Sequence, residues 1–194
     1  TLGPSPVPRP SPVPAPTQIF IPPTPDIHPA EPSTWTNQGP MGGTINCLVA
    51  ARSVPGTLYA GTDGQGIYTT INGGANWVAV NSGLTDLHVQ VLIINPVLPT
   101  TMYAGTRDTG IFKSTNGGRE WFADSSGLAN LNIQSLAIDP MDRNILYAGT
   151  LSGIFKSING GESWFAINQG LAGSFVYTSV LNPQNPNTLY AGTD

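Results

Sequence analysis

Short apolar segments, each bounded by Gly, Pro or Asn, recur along most of the chain and predict β-strands. In one representative stretch, residues 133–138 are apolar enough for a buried inner strand, which an Asp-Pro pair would end. Residues 145–149 predict a second strand, and residues 153–157 alternate apolar and polar side chains as a half-buried third strand does. Residues 163–167 predict the fourth. No segment has a 3.6-residue apolar period over the length of a helix, so the pattern predicts an all-β fold.

The four-strand unit is repeated. Its clearest landmark is the tetrapeptide Tyr-Ala-Gly-Thr, which recurs at intervals of 44, 44 and 43 residues and begins at Tyr59, Tyr103, Tyr147 and Tyr190. Units of this size are too small to bury an apolar face alone and must stack on one another. The repeat therefore predicts a β-propeller built from four-stranded blades of about 43–44 residues. We interpret the repeated tyrosines as packing between blades, because a binding site usually breaks a repeat.

The predicted propeller has three full blades and partial blades at both ends. Residues 33–39 parallel the last strand of the other units and predict a lone outer strand, whereas residues 174–194 contain the first two strands of a fourth unit. No residues supply the third strand that a shared closing blade would need. We expect the polypeptide to continue beyond Asp194; the alternative is that another molecule completes the exposed strand edges.

A second landmark, Asn-Gly-Gly-x-x-Trp, predicts a hairpin turn, since Asn and Gly tolerate the positive φ that such turns need. An Asn side chain can accept hydrogen bonds across its own turn while the Trp covers the hairpin. Asn lacks the charge that a Ca²⁺ site usually requires, so we interpret these residues as structural and predict no metal site and no cofactor. They are Asn72, Gly73, Gly74 and Trp77; Asn116, Gly117, Gly118 and Trp121; and Asn159, Gly160, Gly161 and Trp164.

The segment from residue 157 to 164 resembles the Asp-box, or BNR, repeat, Ser-x-Asp-x-Gly-x-Thr-Trp. The two earlier copies match less closely, with Asn76 and Glu120 at the Ser/Thr position. Asp-box proteins include sialidases, xyloglucanase-type glycoside hydrolases, sortilin and a photosystem II assembly factor, and all are propellers. The resemblance covers about residues 33–194 and implies the fold, but it implies little about activity because one fold hosts many chemistries.

Residues 1–32 have a different composition and predict an extended Pro-rich arm that precedes the propeller of residues 33–194. Proline occupies every even position from Pro4 to Pro16, which excludes a helix or an inner strand and favours polyproline II. The arm is either a spacer or a segment that lies along a partner surface, for which residues 19–21 would be an apolar anchor.

Charge and composition restrict the partners. Only 9% of residues are charged, and the net charge is −4, which disfavours nucleic acid. No run of 18 apolar residues predicts a membrane span. Low charge with abundant Gly, Asn, Ser and Thr favours a secreted protein, extracellular or at the cell surface. Cys47 occupies a small inner-strand position, so we interpret it as a packing residue.

Departures from the repeat suggest where a ligand would bind. Asp63, Arg107 and Asp108 vary in the turn that follows Tyr-Ala-Gly-Thr, and we predict that this turn forms a binding surface for a protein or a glycan. We predict no catalytic residue in this chain. The arginines lie at unlike positions of their repeats, unlike a sialidase cluster, and we expect neighbouring blades to separate Asp63 from Asp108 by more than a glycosidase carboxylate pair allows. His28 and His88 are too distant in sequence and too unlike in context to predict a metal pair.

Two functional hypotheses follow. The first, which we favour from the sequence, is a non-catalytic extracellular binding or structural module, such as a subunit of a cell-surface assembly. Its Pro-rich arm would be a tether or an inter-subunit strap, and its open edge strands would bind a protein partner or a second copy. The alternative, which the resemblance supplies, is the N-terminal fragment of a longer Asp-box glycoside hydrolase of the sialidase or xyloglucanase type.

Overall fold

The computed structural model describes residues 39–40, 43–171 and 175–194, and its regular elements are all strands. Three antiparallel four-stranded sheets, here blades I, II and III, are followed by a two-stranded sheet, half-blade IV; in each, sequential strands are neighbours. The strands are β1 (Ile45–Ala50), β2 (Leu58–Thr62), β3 (Ile67–Thr70) and β4 (Val78–Ala79); β5 (Val89–Ile94), β6 (Met102–Thr106), β7 (Ile111–Ser114) and β8 (Phe122–Ala123); β9 (Ile133–Ile138), β10 (Leu146–Thr150), β11 (Gly153–Ser157) and β12 (Phe165–Ala166); and β13 (Val176–Leu181) and β14 (Leu189–Thr193).

The predicted blade arrangement and the observed strands agree except at the outer strand. β9 and β11 have the predicted bounds, and β10 is shifted by one residue. β12 is shorter than predicted because two backbone N–H groups at its start bond elsewhere: that of Ser163 donates to Asn159 Oδ1 and that of Trp164 to the Ser126 carbonyl of blade II. The predicted Pro-rich arm (1–32) and, apart from Gly39, the predicted lone strand (33–39) lie outside the described residues.

The hydrophobic core lies between neighbouring blades. One cluster joins blade I to blade II and includes Tyr59, Ile67, Val89, Leu92, Met102, Phe112 and Trp121. A second joins blade II to blade III and includes Tyr103, Ile111, Ile133, Leu136, Leu146, Phe155 and Trp164. Each blade therefore buries its apolar face only against the next one, which is the behaviour expected of stacked repeats.

The tetrapeptide recurs because three of its four residues are constrained. A Cβ atom on Gly61 would lie 2.6 Å from Cys47 Sγ in its own blade and 2.7 Å from Val89 Cγ1 in the next, so only Gly lets the first strands of two blades approach. The threonine closes the following turn: Thr62 Oγ1 donates to the Gly66 carbonyl at 2.8 Å, and Thr106 and Thr150 make the corresponding bond in blades II and III. The tyrosine reaches the next blade, where Tyr59 Oη donates to the Gly117 carbonyl at 3.1 Å.

Side chains at positions that are buried in the inner blades are exposed where the described chain has no neighbouring blade. Tyr190 on β14 is 59% exposed, whereas its counterparts in blades I to III are buried. Leu48 on β1 is also 59% exposed, although its counterparts Leu92 and Leu136 are buried. Burying such a side chain stabilises a fold by about 1.5–3 kcal/mol, so both surfaces lack the contacts that the inner blades have.

Candidate functional site

The turns that follow Tyr-Ala-Gly-Thr lie at one end of the blades, which we call the variable-turn end. Sequential antiparallel strands alternate in direction, so these turns share that end with the connections 80–88 and 124–132, which lead from one blade into the next. The Asn-Gly-Gly turns lie at the opposite end. The residues predicted to bind a ligand and those predicted to be structural are thus at opposite ends of the sheets.

An ion pair joins the variable turns of blades I and II. Arg107 Nη2 lies 3.0 Å from Asp63 Oδ1, and both side chains are partly exposed. The oxygen itself is buried, but the contact is not a well-aligned hydrogen bond. Backbone bonding strengthens the junction: Asp63 forms an antiparallel bridge with His88, whose carbonyl accepts a 3.0 Å bond from the Arg107 N–H. An exposed ion pair alone contributes about 0–1 kcal/mol, so the backbone bridge is the firmer link.

Asp86 is the buried centre of this cluster. Its Oδ1 accepts the backbone N–H of His88 at 2.9 Å and lies 3.1 Å from His88 Nδ1, while its Oδ2 accepts the backbone N–H of Asp108 at 2.9 Å. Burial acts to raise the pKa of Asp86. The hydrogen bonds from His88 and Asp108 outweigh burial and hold the pKa of Asp86 below its ordinary value. Asp86 is therefore an ionised anchor that positions two turns.

The structure brings together the three residues predicted to bind, but by a route the sequence did not indicate. Asp63 and Arg107 touch directly, and Asp108 is tied to them through Asp86. Asp86 and His88 were missed as members of the site. A usable signal existed: Asp86 and Asn130 occupy equivalent positions two residues before His88 and Asn132, and each accepts the backbone N–H of that residue.

The opposite end is organised by the Asn-Gly-Gly turns. In blade III, Asn159 Oδ1 accepts bonds from Ser157 Oγ at 2.8 Å and from the Ser163 N–H at 3.0 Å, and the other turns repeat the pattern. The paired glycines have φ between +69° and +99°. The Asn NH2 group is also used, because Asn116 Nδ2 donates to Glu120 Oε2 at 3.1 Å. The Glu120 carboxylate can thus accept a hydrogen bond from Asn116, whereas it would repel the carboxylate of an Asp at position 116.

Two of the repeated tryptophans connect neighbouring blades. Trp121 is buried and donates its indole N–H to the Val80 carbonyl of blade I at 2.9 Å, and Trp164 does the same to the Asp124 carbonyl of blade II. A groove of about 590 Å³ between blades II and III is lined in part by Tyr103, Lys113 and Glu162. Lys113 Nζ donates to the Gly160 carbonyl at 2.7 Å, so its charge serves the blade junction.

In the described part of the chain, no group of three or more His, Cys, Asp or Glu side chains could hold a metal ion. Residues 39–40, 43–171 and 175–194 also contain no helix of the length and hydrophobicity needed to cross a membrane. What the cluster at the variable-turn end offers chemically is a set of carboxylates, one guanidinium and one imidazole on adjoining turns.

No protein-family model matches the chain, and no curated protein matches it. Among solved structures, an ancestral GH74 enzyme is 25% identical to this chain. The match covers 78% of this chain and 22% of the enzyme, with a TM-score of 0.65. The GH74 enzyme of Niastella koreensis is also 25% identical, with coverage of 78% and 27% and a TM-score of 0.63. The computationally designed Ika4 protein is 14% identical, with coverage of 79% and 88% and a TM-score of 0.58, and it shows likeness of fold alone.

The chain spans about a quarter of the length of the GH74 enzymes that it matches. Together with the antiparallel four-stranded sheets, these neighbours support an all-β fold with a propeller-like arrangement of blades.

Proposed function

We propose that this chain is part of a longer, secreted glycoside hydrolase of the GH74 kind. The observation that carries the proposal is the match to two GH74 enzymes at 25% identity over 78% of this chain. GH74 enzymes are glycoside hydrolases, and the resemblance of the Asn-Gly-Gly turns to Asp-boxes points independently to xyloglucanase-type hydrolases among other propellers. The non-catalytic module favoured by the sequence has no comparable support, so the alternative becomes the main proposal.

Within that proposal, the two ends of the blades have different roles. The Asn-Gly-Gly turns are Asp-box corners that hold hairpins, since their polar atoms already bond within the turn. The variable-turn end faces the glycan, because Asp63, Arg107 and Asp108 break the repeat there and remain partly or fully exposed. A glycosidase needs two carboxylates flanking the scissile bond, and the remainder of the longer protein would supply what this face lacks.

The proposal is tested on the complete reading frame that contains this chain. We expect the purified protein to release reducing sugars from xyloglucan and no sialic acid from 3′-sialyllactose. Arg107→Ala should lower kcat/KM on xyloglucan at least about tenfold, because it removes the guanidinium that this face offers to the glycan, and a tenfold loss corresponds to about 1.4 kcal/mol. Arg119→Ala is the matched control, as Arg119 is exposed in a turn at the opposite end. A full-length protein that hydrolyses no glycan would refute the proposal.

A further inference from the structure

The first strands of the blades begin at the variable-turn end, and their opening residues form two rows. The residue directly before the strand is His88, Asn132 or Phe175, and the second residue of the strand is Asn46, Gln90, Gln134 or Tyr177. The second residue is skipped in the pairing of each strand, because the register shifts around it. Such bulges redirect a side chain out of the sheet and are common next to binding sites.

Three amide side chains of these rows, one from blade II and two from blade III, bond to one another. Gln90 Nε2 donates to Asn132 Oδ1 at 3.0 Å, and Gln134 Nε2 donates to Gln90 Oε1 at 3.1 Å and also to Asn132 Oδ1. The three side chains are half-buried. Among the described residues, no hydrogen bond uses Asn132 Nδ2 or Gln134 Oε1. A preorganised donor and acceptor are thus left over, which is the complement of a sugar hydroxyl.

In half-blade IV the same two positions are aromatic. Phe175 and Tyr177 are 44% and 51% exposed, and their ring centroids are 6.5 Å apart in an edge-to-face arrangement. Strand β13, which contains Tyr177 and directly follows Phe175, adjoins β9, since Ser135 Oγ and Ser179 Oγ are 2.8 Å apart. The line of amides therefore continues into a pair of exposed rings. Aromatic faces offer the apolar, polarisable surface on which the C–H face of a sugar ring stacks.

The charges around the amides and the rings favour a neutral sugar over an anionic one. The amides and the two rings are neutral, whereas the neighbouring cluster brings three carboxylates, those of Asp63, Asp86 and Asp108, against Arg107 and His88. The whole chain has a net charge of −4. An anionic sugar would be repelled here, and a neutral one would not.

We propose that Gln90, Asn132, Gln134, Phe175 and Tyr177 form a binding subsite for a neutral oligosaccharide chain. The amides would bond to its hydroxyls while the rings stack on its next residue. The subsite rests on the proposed glycoside hydrolase function and deepens it: it names the residues that hold the glycan and selects neutral glycans over sialosides.

The test is a binding titration of the purified 194-residue chain by calorimetry. Its probes are a xyloglucan-derived oligosaccharide, which is neutral, and 3′-sialyllactose. We expect the first to bind and the second not to. Gln134→Ala and Tyr177→Ala should each raise Kd about tenfold or more, the equivalent of about 1.4 kcal/mol. Tyr190→Ala is the matched control, because Tyr190 is 59% exposed in the same half-blade but on β14, and it should leave Kd unchanged.

Each outcome separates the subsite from the proposed function. Unchanged affinity in both variants, with unfolding transitions like that of the wild type, would overturn the subsite. Binding of neither sugar, or of sialyllactose alone, would overturn it as well. Xyloglucan hydrolysis by the longer protein decides the proposed function separately, so a failed subsite with active hydrolysis leaves the proposed function standing.

Discussion

Tyr103 Oη donates a 2.9 Å hydrogen bond to the carbonyl oxygen of Gly160, so a side chain of blade II is fixed to a turn of blade III. Lys113 Nζ donates to the same oxygen at 2.7 Å and lies 5.6 Å from the centroid of the Tyr103 ring. Tyr59 makes the corresponding bond to Gly117 at 3.1 Å, but Thr69 stands where blade II has Lys113. The two junctions thus differ in how many donors they keep when a tyrosine hydroxyl is removed.

The first prediction concerns these hydroxyls. Tyr59→Phe should lower the free energy of unfolding by about 1 kcal/mol, because it leaves the Gly117 carbonyl without that donor. Tyr103→Phe should cost less, since Lys113 still serves Gly160. Tyr190→Phe is the control and should cost nothing measurable, because Tyr190 is exposed. Urea titrations of the three variants check this, and an equal loss in all three would show that the junction bonds do not stabilise the stack.

The second prediction concerns the glycine of the tetrapeptide. A Cβ atom at Gly105 would lie 2.5 Å from Ile133 Cγ2 and 2.6 Å from Val91 Cγ1, so Gly105→Ala forces two first strands apart. We expect a loss of about 1–3 kcal/mol, as overpacking usually costs. Gly39→Ala should be neutral, because nothing lies within 4 Å of its Cβ position. Thermal unfolding of both variants measures the difference; a Gly105→Ala protein as stable as the wild type would mean that the blades are loosely packed.

Much of this blade architecture could be predicted from the sequence because it is periodic. A motif such as Tyr-Ala-Gly-Thr recurs only when each copy meets the same surroundings, and Gly61 and Gly105 do so. The outer strand β12 was predicted too long because its apolar residues fit a strand, whereas the bonds of Ser163 and Trp164 to other partners are invisible in a hydrophobic pattern.

The candidate site was harder to predict than the fold. Asp63 and Arg107 could be selected as departures from the repeat, but their contact depends on how far one blade is rotated against the next, which no local pattern specifies. Asp86 was not among the residues selected from the sequence. Only the folded structure shows that it is buried and that it accepts bonds from the backbone N–H groups of His88 and of Asp108, which lies 22 residues beyond Asp86 in the chain.

The third prediction concerns the single cysteine. Burial raises the pKa of Cys47 to about 11, although backbone hydrogen bonds at Gly61 and Leu92 oppose the rise. At pH 8 the thiolate fraction should be roughly 200-fold below that of a free cysteine with its pKa of about 8.5. A disulfide reagent should therefore modify the native protein slowly and the urea-unfolded protein at once. Rapid native labelling at pH 8 would contradict the packing that we assign to Cys47.

The fourth prediction concerns Asp124, which breaks the repeat where Val80 and Ile167 stand. Burial raises its pKa above the ordinary value; Lys113, 4.0 Å away, opposes this, and Glu162 adds to it. The folded state then holds the proton more tightly than the unfolded state, so the wild type loses stability as pH rises from the ordinary Asp pKa to the raised one. The stability of Asp124→Asn relative to the wild type should therefore increase as pH rises through that window, as measured by the melting temperatures of both proteins between pH 3.5 and 7. Parallel curves would contradict the assignment.

The fifth prediction has the opposite sign and concerns Asp86. Its pKa is held low in the folded state, so its ionised form stabilises the fold fully above the ordinary Asp pKa of about 3.9, and this contribution disappears as pH falls through the folded value. Asp86→Asn should cost about 1–3 kcal/mol at pH 7, because the backbone N–H of Asp108 meets an NH2 group in place of an acceptor. The difference in free energy of unfolding between the variant and the wild type should narrow as pH falls below 4.

Asp108→Asn is the control, because Asp108 contacts Asp86 through its backbone N–H and the substitution leaves that bond in place. Urea titrations from pH 3 to 7 should show a small, pH-independent difference in free energy of unfolding for this variant. A gap for Asp86→Asn that stayed constant over that range would show that its carboxylate does not anchor the variable turns.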